Sequence, residues 1–158
     1  QIEVSEENYR KLCFPFPNKP WNGAVIGEHQ GAHFYTIGQR KGLNIGGHKE
    51  PLFVLATDVQ RNIIYVGEGQ NHPGLNRKGL FVAANEMHWI RTDLKMKPGE
   101  KHDFEIRIRY RQPLEKGTIH LNDEGAWFIF ENEQRGITSG QFAAWYAGDE
   151  LVGSGVIA

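Results

Sequence analysis

Basic side chains are the first candidates for chemistry, and one group of them recurs at every second residue. The stretch "DFEIRIRYR" (103–111) alternates apolar and charged residues, which is typical of a strand with one buried face. Arg107, Arg109 and Arg111 would then share one face at intervals of about 6.6 Å, a spacing that suits the phosphates of a nucleic acid. The alternative is a solvated face balanced by acidic residues on neighbouring strands. Tyr110 falls on the core side of this pattern, but it would be free to stack on a base if the strand ended there.

A second basic group lies on a glycine-punctuated loop. The stretch "YTIGQRKGLNIGG" (35–47) sets Gln39, Arg40 and Lys41 between glycines, which allow the backbone to approach a ligand closely. The Gly-Lys-Ser/Thr ending of a phosphate-binding P-loop is absent. The pattern is therefore compatible both with a ligand-contacting loop and with an ordinary surface hairpin.

The histidines and the single cysteine predict no catalytic cluster. His29 and His33 are four residues apart, but Gly31 between them and the extended surroundings favour structural histidines over a metal site. Cys13 lies beside prolines and has no neighbouring histidine that would lower its pKa, so a core thiol is favoured over a nucleophile. One cysteine also excludes a disulfide framework or a CxxC site.

Length and composition limit the possible classes of protein. The chain has 158 residues and a net charge of −1, which suits one sizeable domain or two small ones and argues against nucleic-acid affinity over the whole surface. No apolar run approaches the roughly 20 residues of a membrane span, and no signal peptide opens the chain. These features predict a cytoplasmic protein that makes no use of a membrane. Because the chain begins with Gln1 and not Met, we expect a processed or truncated piece of a longer protein.

The order of predicted elements favours small β-barrels. Residues 5–13 are expected to form a short helix, and the prolines of "FPFPNKP" then extend the chain. The stretch "SGQFAAWYAGDE" is ambiguous but suits a strand better than a helical turn. "VQRN" is expected to join two strands as a hairpin. The predicted strands are "GAVIGEH", "AHFYTIG", "PLFVLATD", "NIIYVGEG", "LFVAANEMHWI", "DFEIRIRYR", "GTIHL", "GAWFIF" and "ELVGSGVI".

Four longer stretches carry a resemblance to a known family. They are "GEHQGAHFYTIGQRKGLNIGG" (27–47), "EPLFVLATDVQRNIIYVGEGQNHPGL" (50–75), "RYRQP" (109–113) and "GITSGQFAAWYAGDELVGSGVI" (136–157). In this order they resemble the tRNA-specific 2-thiouridylase (MnmA/TrmU) family, whose older label is tRNA (5-methylaminomethyl-2-thiouridylate)-methyltransferase. The resemblance implies three segments: a helix and linker trailing a catalytic domain (1–22), a central β-rich domain (23–78) and a C-terminal antiparallel β-barrel similar to translation-factor barrels (79–158).

The resemblance also implies an activity that this chain only assists. Members of the family thiolate the wobble uridine of certain tRNAs, using ATP and Mg2+ in an N-terminal PP-loop domain. A pair of cysteines there handles sulfur that a relay protein delivers as a persulfide. The "SGGVDS"-like PP-loop and the "GICFIG"-like cysteine segment are absent here, and Cys13 does not match the latter. We therefore expect a tRNA-binding and positioning part with no catalytic residue, cofactor or metal of its own, inactive in thiolation when alone.

Two family contacts with tRNA can be carried over to this sequence. The Arg-Tyr contact falls on Arg109 and Tyr110. The Pro-Gly-Gln contact falls on Gly140 and Gln141, with Ser139 in place of the proline.

Further contacts are expected beside these two. Arg107 and Arg111 flank the first contact and are expected to neutralise phosphates, and the 39–41 loop is expected to meet tRNA or the catalytic domain. A rival interpretation is a protein-docking β module for the catalytic domain or the sulfur-relay partner. An independent hydrolase or metal enzyme has little support.

Overall fold

The computed structural model describes residues 3–158, which form two compact units. The first unit joins residues 3–14 to Arg77–Ala158, and the second is Pro15–Asn76. Strand residues outnumber helical residues in the described part of the chain and the helices are short, which confirms the predicted mainly β fold. No helix in the described part of the chain is long and apolar enough to cross a membrane. The segment boundaries expected at 22/23 and 78/79 stay a prediction.

The unit Pro15–Asn76 is built around the predicted hairpin. Strands β1 (Leu52–Asp58) and β2 (Ile63–Glu68) pair antiparallel, with a bulge between Val54 and Ala56. Asn62 takes a left-handed conformation with φ 55° in the connecting turn, a conformation that asparagine tolerates better than most residues. Short 3-10 turns occur at Pro20–Asn22, Ala32–Phe34 and Pro73–Leu75.

The strands expected at "GAVIGEH" and "AHFYTIG" are wrong. Residues 24–31 carry no strand ladder, and Ala32–Phe34 form a 3-10 turn. Polar groups of the hairpin turn take the place of a strand partner, since the side-chain oxygen of Asn62 accepts from the Ala32 N–H at 2.9 Å. Gly31, at φ 145°, redirects the chain just before this contact.

A small apolar cluster holds this unit together. Leu43, Leu52 and Val54 are buried, and the loop before β1 is bonded to the strand. The Gly38 N–H donates to the Val54 carbonyl at 2.8 Å, and the Val54 N–H donates to the Gln39 carbonyl at 2.9 Å. Four half-buried side chains pack around the cluster: Tyr35, Ile45, Ile64 and Val66.

The other unit is a curled seven-stranded sheet in the order β3-β7-β6-β5-β8-β9-β4. The Ala158 N–H, just beyond β9, donates to the Phe81 carbonyl of β3 at 2.9 Å, so the curl returns the chain end to the first strand. This geometry agrees with the predicted barrel. The strands are β3 (Asn76–Ala83), β4 (Met87–Trp89), β5 (Lys101–Arg107), β6 (Glu115–Leu121), β7 (Gly125–Arg135), β8 (Phe142–Ala147) and β9 (Glu150–Val156).

Alternation of side chains along each strand fills the barrel. In β8, Ala143 and Trp145 are fully buried, whereas Phe142 stays exposed. The ambiguous "SGQFAAWYAGDE" thus contains a strand, as predicted. The core comprises Leu80, Val82, Met96, Ile106, Ile108, Ile119, Ala126, Phe128, Phe130, Ile137, Ala143, Trp145, Val152 and Ile157.

The N-terminal helix packs on the outer face of this barrel. A 3-10 turn at Glu6–Asn8 leads into α1 (Tyr9–Cys13), within the predicted helical range. Leu12 and Cys13 of α1 are buried against Trp127 and Ile129 of β7. The residues at the end of α1 therefore contribute to barrel packing.

Candidate nucleic-acid interface

The basic strand is shorter than the sequence predicts. β5 ends at Arg107, and the Gln112 N–H donates to the Arg109 carbonyl at 3.1 Å to close a turn. The expectation that Arg107, Arg109 and Arg111 share one strand face is therefore wrong. The turn explains the difference, because its hydrogen bond replaces the strand pairing that would have kept successive side chains on alternate faces.

Arg107 remains on the outer face of the sheet. It pairs with Ala144 of β8, and its guanidinium carbon lies 5.5 Å from the centroid of the Tyr146 ring. This cation–π contact fixes the side chain. Its Nε is buried and has no hydrogen-bond partner among the residues that the structure describes. Within residues 3–158, Arg107, Arg109 and Arg111 have no carboxylate within 4 Å, so the alternative of a charge-balanced face is not observed.

Arg109 joins two loops at the end of the barrel. Its Nη2 donates to the Gly136 carbonyl at 2.7 Å, which ties the β5–β6 loop to the β7–β8 loop. Nearby, the Gln112 side-chain amide donates to the side-chain oxygen of Gln134 at 2.8 Å. Arg109 therefore positions the loops as well as contributing a positive charge.

Arg77 of β3 fixes the β7–β8 loop from another direction. Its Nη2 donates to the Ile137 carbonyl at 2.5 Å, and its Nη1 donates to the Cys13 carbonyl at 2.9 Å. Burial lowers the pKa of this guanidinium below its usual value. One half-buried cation thus bonds to the end of α1 and to the loop that carries Gly140 and Gln141.

Gly140 and Gln141 stand where the β7–β8 loop enters β8. Gly140 has φ 86°, a left-handed conformation that favours glycine. The Gly140 N–H donates to the Ile157 carbonyl and the Ile157 N–H donates to the Gln141 carbonyl, both at 2.8 Å. These bonds use only main-chain groups, and the side chain of Gln141 is exposed.

Two aromatic rings stand out from the same end of the barrel. Tyr110 is 90% exposed, because β5 ends before it and the alternation that would have pointed its side chain to the core no longer applies. Phe142, which sequence analysis missed, is 63% exposed and directly follows Gln141. Its signal was present in the sequence, since inward Ala143 and Trp145 place it on the outer face. Exposed rings beside arginines are typical of surfaces that stack nucleic-acid bases.

The basic loop at 39–41 belongs to the unit Pro15–Asn76. The Gln39 side chain stabilises the loop internally: its Oε1 accepts from the Thr36 N–H at 3.0 Å and its Nε2 donates to the Lys41 carbonyl at 2.9 Å. Arg40 and Lys41 are exposed. A contact of Gln39 with a partner would have to break these bonds, whereas the two cations are free to make one.

The histidines and Cys13 occupy separate environments. The His29 ring accepts from the Gly31 N–H and packs edge-on to Tyr35, whereas the His33 ring packs on Phe34. Burial raises the pKa of the Cys13 thiol to about 12, partly offset by the charge of Arg77. A thiol of this kind is a poor nucleophile at neutral pH. Across residues 3–158, no three His, Cys, Asp or Glu side chains are grouped to hold a metal ion.

Comparison with known proteins identifies both parts of the chain. Residues 18–68 match the tRNA methyl transferase PRC-barrel domain, and residues 81–157 match the aminomethyltransferase beta-barrel domain. The chain is 54% identical over 99% of its length to the tRNA-specific 2-thiouridylase MnmA of Flavobacterium johnsoniae. The MnmA proteins of Christiangramia forsetii and Karelsulcia muelleri are 54% and 47% identical over 86% and 85% of the chain.

These matches define the chain as β-barrel domains of a tRNA-modification enzyme. It belongs to the tRNA-specific 2-thiouridylase (MnmA/TrmU) family, whose central and C-terminal domains it represents. The chain spans only 38%, 34% and 35% of the length of the three relatives.

Proposed function

We propose that this chain is the tRNA-binding and positioning part of a 2-thiouridylase that thiolates the wobble uridine of tRNA. The observation that carries the proposal is the joined pair of loops at one end of the barrel. The Arg109 bond to Gly136 holds them together, so that Tyr110 and Gln141 are presented to solvent on a fixed frame. RNA is the expected ligand because the relatives are named as tRNA-specific 2-thiouridylases.

The loops offer two kinds of contact to RNA. Arg107, Arg109 and Arg111 supply positive charge with no carboxylate partner in the described part of the chain, which favours phosphate oxygens. Tyr110 and Gln141 supply a ring face and an amide, which suit a base or a ribose hydroxyl. Arg40 and Lys41 are further candidates for the RNA backbone or for the catalytic domain.

The chemistry of thiolation is assigned to a catalytic domain in cis. The resemblance puts ATP, Mg2+ and the sulfur-bearing cysteines in that PP-loop domain. A sulfur-relay protein would deliver the sulfur to those cysteines. The residues of this chain do not fit those roles, because Cys13 is buried with a raised pKa and lies among apolar side chains. We expect the chain alone to thiolate no tRNA.

The test uses the full-length protein and a tRNA titration over a range of salt concentrations. Replacing Arg107 and Arg109 together by alanine should weaken binding and make the salt dependence shallower by about one unit of slope per lost phosphate contact. Tyr110→Ala should weaken binding without changing that slope. Lys97→Ala, on an exposed loop of the same unit, is the charge control. Unchanged affinity in all the loop variants would refute the proposal.

A second candidate function is protein docking by the unit Pro15–Asn76. A groove of about 460 Å3 lies there along β2, and Leu43, Ile45 and Ile64 are among the residues that line it. Val25 on its rim is 94% exposed, and Trp21 nearby is 77% exposed. Exposed apolar side chains around a groove are typical of a contact with another protein surface. Val25→Asp should then impair association with the catalytic domain or relay protein and leave tRNA affinity of the barrel unchanged, as co-purification and titration would show.

A further inference from the structure

The exposed ring of Phe142 is the strongest feature that the proposed contacts leave unused. Phe142 is the first residue of β8, and its neighbours along the strand, Ala143 and Trp145, are fully buried. The ring therefore lies on the outer face of the sheet, next to Gln141. It belongs to none of the apolar clusters formed by residues 3–158.

Beside this ring the strand register creates a shallow trough. Ala144 pairs with Arg107 on one side and with Ser154 on the other, and Ser154 pairs with His88. These four residues form a line across four strands, which spans about 14 Å because neighbouring strands lie about 4.8 Å apart. The two central side chains, Ala144 and Ser154, are small, whereas Arg107 and His88 at the ends are large. The surface therefore dips in the middle. We call this surface, together with Phe142, the outer trough.

The two ends of the outer trough carry nitrogen donors. Arg107 is held on the Tyr146 ring, and among residues 3–158 its buried Nε has no hydrogen-bond partner and its guanidinium has no carboxylate within 4 Å. Glu105 lies two residues before Arg107 on the same face but makes no ion pair with it. His88 is exposed at the other end. A fixed, planar guanidinium with free N–H donors suits two oxygens of a phosphate.

We propose that the outer trough binds one unpaired nucleotide of RNA, with the base stacked on Phe142 and the phosphate held by Arg107. The small side chains of Ala144 and Ser154 leave room for the sugar. This inference rests on the proposed function, because it extends the proposed RNA-binding surface from the loops onto the adjoining outer face of the sheet. A protein partner is disfavoured, since one ring among Ala, Ser, Arg and His offers little of the apolar core that protein interfaces bury.

The experiment compares Phe142→Ala with Phe142→Trp in the full-length protein. Fluorescence anisotropy follows the binding of a labelled oligouridylate and, separately, of a blunt RNA duplex of equal length. The alanine variant should bind oligouridylate about tenfold more weakly, because stacking on an aromatic ring supplies much of single-strand affinity. The tryptophan variant should stay within about twofold of the wild type. Duplex binding should change little in either variant.

Each other outcome decides against the outer trough. Equal loss of oligouridylate and duplex affinity would show that Phe142 does not recognise an unpaired base, and full retention by Phe142→Leu would show that stacking is not involved. Wild-type oligouridylate affinity in Phe142→Ala, with weakened tRNA binding in Tyr110→Ala, would overturn the trough and leave the proposed function standing. If neither of these variants nor the Arg107 and Arg109 double variant altered binding of tRNA or oligouridylate, both proposals would fall.

Discussion

Two patches on the outer face of the same barrel differ in what covers them. On β3 and β7, Phe81 and Trp127 are packed under Tyr9 and Phe14 from the chain's own N-terminal segment. On β5 and β8, Phe142 and Arg107 have no such cover within residues 3–158. The difference separates two uses of an outward aromatic residue: one stabilises the fold, and the other is available to a partner.

The covered patch is also the better connected of the two. The Trp127 ring lies 4.3 Å from Phe81 and 5.7 Å from Tyr9 between ring centroids, and the Arg10 guanidinium lies over it at 5.6 Å. The Tyr9 hydroxyl and the His120 Nδ1 are 2.8 Å apart and share a hydrogen bond. Loss of a residue here should affect folding first, whereas loss of one on the open patch should affect binding first.

The largest expected effect is that of Trp127→Ala on stability. Removing this buried ring should lower the free energy of unfolding by about 3–5 kcal/mol, because a cavity remains and α1 loses its main contact. The matched change on the open patch, Phe142→Ala, should alter it by less than about 0.5 kcal/mol. Urea unfolding followed by far-ultraviolet circular dichroism measures both. Similar losses in the two variants would remove the distinction between the patches.

Arg77→Met should have the next largest effect and should act on both patches. The variant loses the bonds to the Cys13 and Ile137 carbonyls, which should cost about 2–4 kcal/mol of unfolding free energy. Charged hydrogen bonds contribute about 1.5–3 kcal/mol each, and removing the cost of burying the guanidinium offsets part of their sum. It should also weaken tRNA binding, because the β7–β8 loop loses a tether. Lys78→Met is the control, since it removes the same charge from the next residue, a half-buried lysine whose bond to the Glu131 carbonyl is exposed to solvent. A tRNA affinity in Arg77→Met equal to that of the control would mean that the tether serves stability alone.

The smallest expected effect is a pH dependence at the covered patch. Partial burial, and then the charge of Lys101, lowers the pKa of His120 from its ordinary 6.5, while Asp103 acts in the opposite sense. The folded state therefore resists protonation, so the contribution to stability is complete above pH 6.5 and is lost as pH falls from there through the folded-state pKa.

His120→Asn provides the comparison for this pH dependence. Asparagine keeps an acceptor for the Tyr9 hydroxyl but does not titrate. Between pH 7.5 and pH 5.5, the midpoint of urea unfolding should therefore fall further in the wild type than in the variant. Parallel pH profiles in the two proteins would contradict the assigned role of His120.

The open patch on β5 and β8, which carries Arg107 and Phe142, was less predictable from the sequence than the overall fold. Turn residues between short apolar runs were enough to predict a mainly β chain and the β1–β2 hairpin, since both depend on local patterns. The end of β5 could not be seen, because "DFEIRIRYR" alternates through Arg111 while the turn begins at Arg109. The prediction that Tyr110 would reach solvent if the strand ended is confirmed by its exposure, and its contact with a base stays a prediction.

The residues that fix the loops were beyond the reach of local patterns. Arg77 acts on carbonyls 64 and 60 residues away along the chain, and Arg109 on one 27 residues away. Such bonds depend on how the sheet curls, which no short motif encodes. The failed strands at 23–29 and 32–38 have the same origin, since a side chain of the distant hairpin turn provides the hydrogen bond there.

Sharing of the Arg77 guanidinium between α1 and the β7–β8 loop has a thermodynamic consequence. If ordering of the loop and docking of the helix depend on one cation, the two equilibria are linked, and linkage is reciprocal. A ligand that orders the loop must then hold the helix in place by the same free energy. Amide hydrogens of Leu12 and Cys13 should exchange with solvent more slowly when RNA is bound, at a distance from the RNA itself.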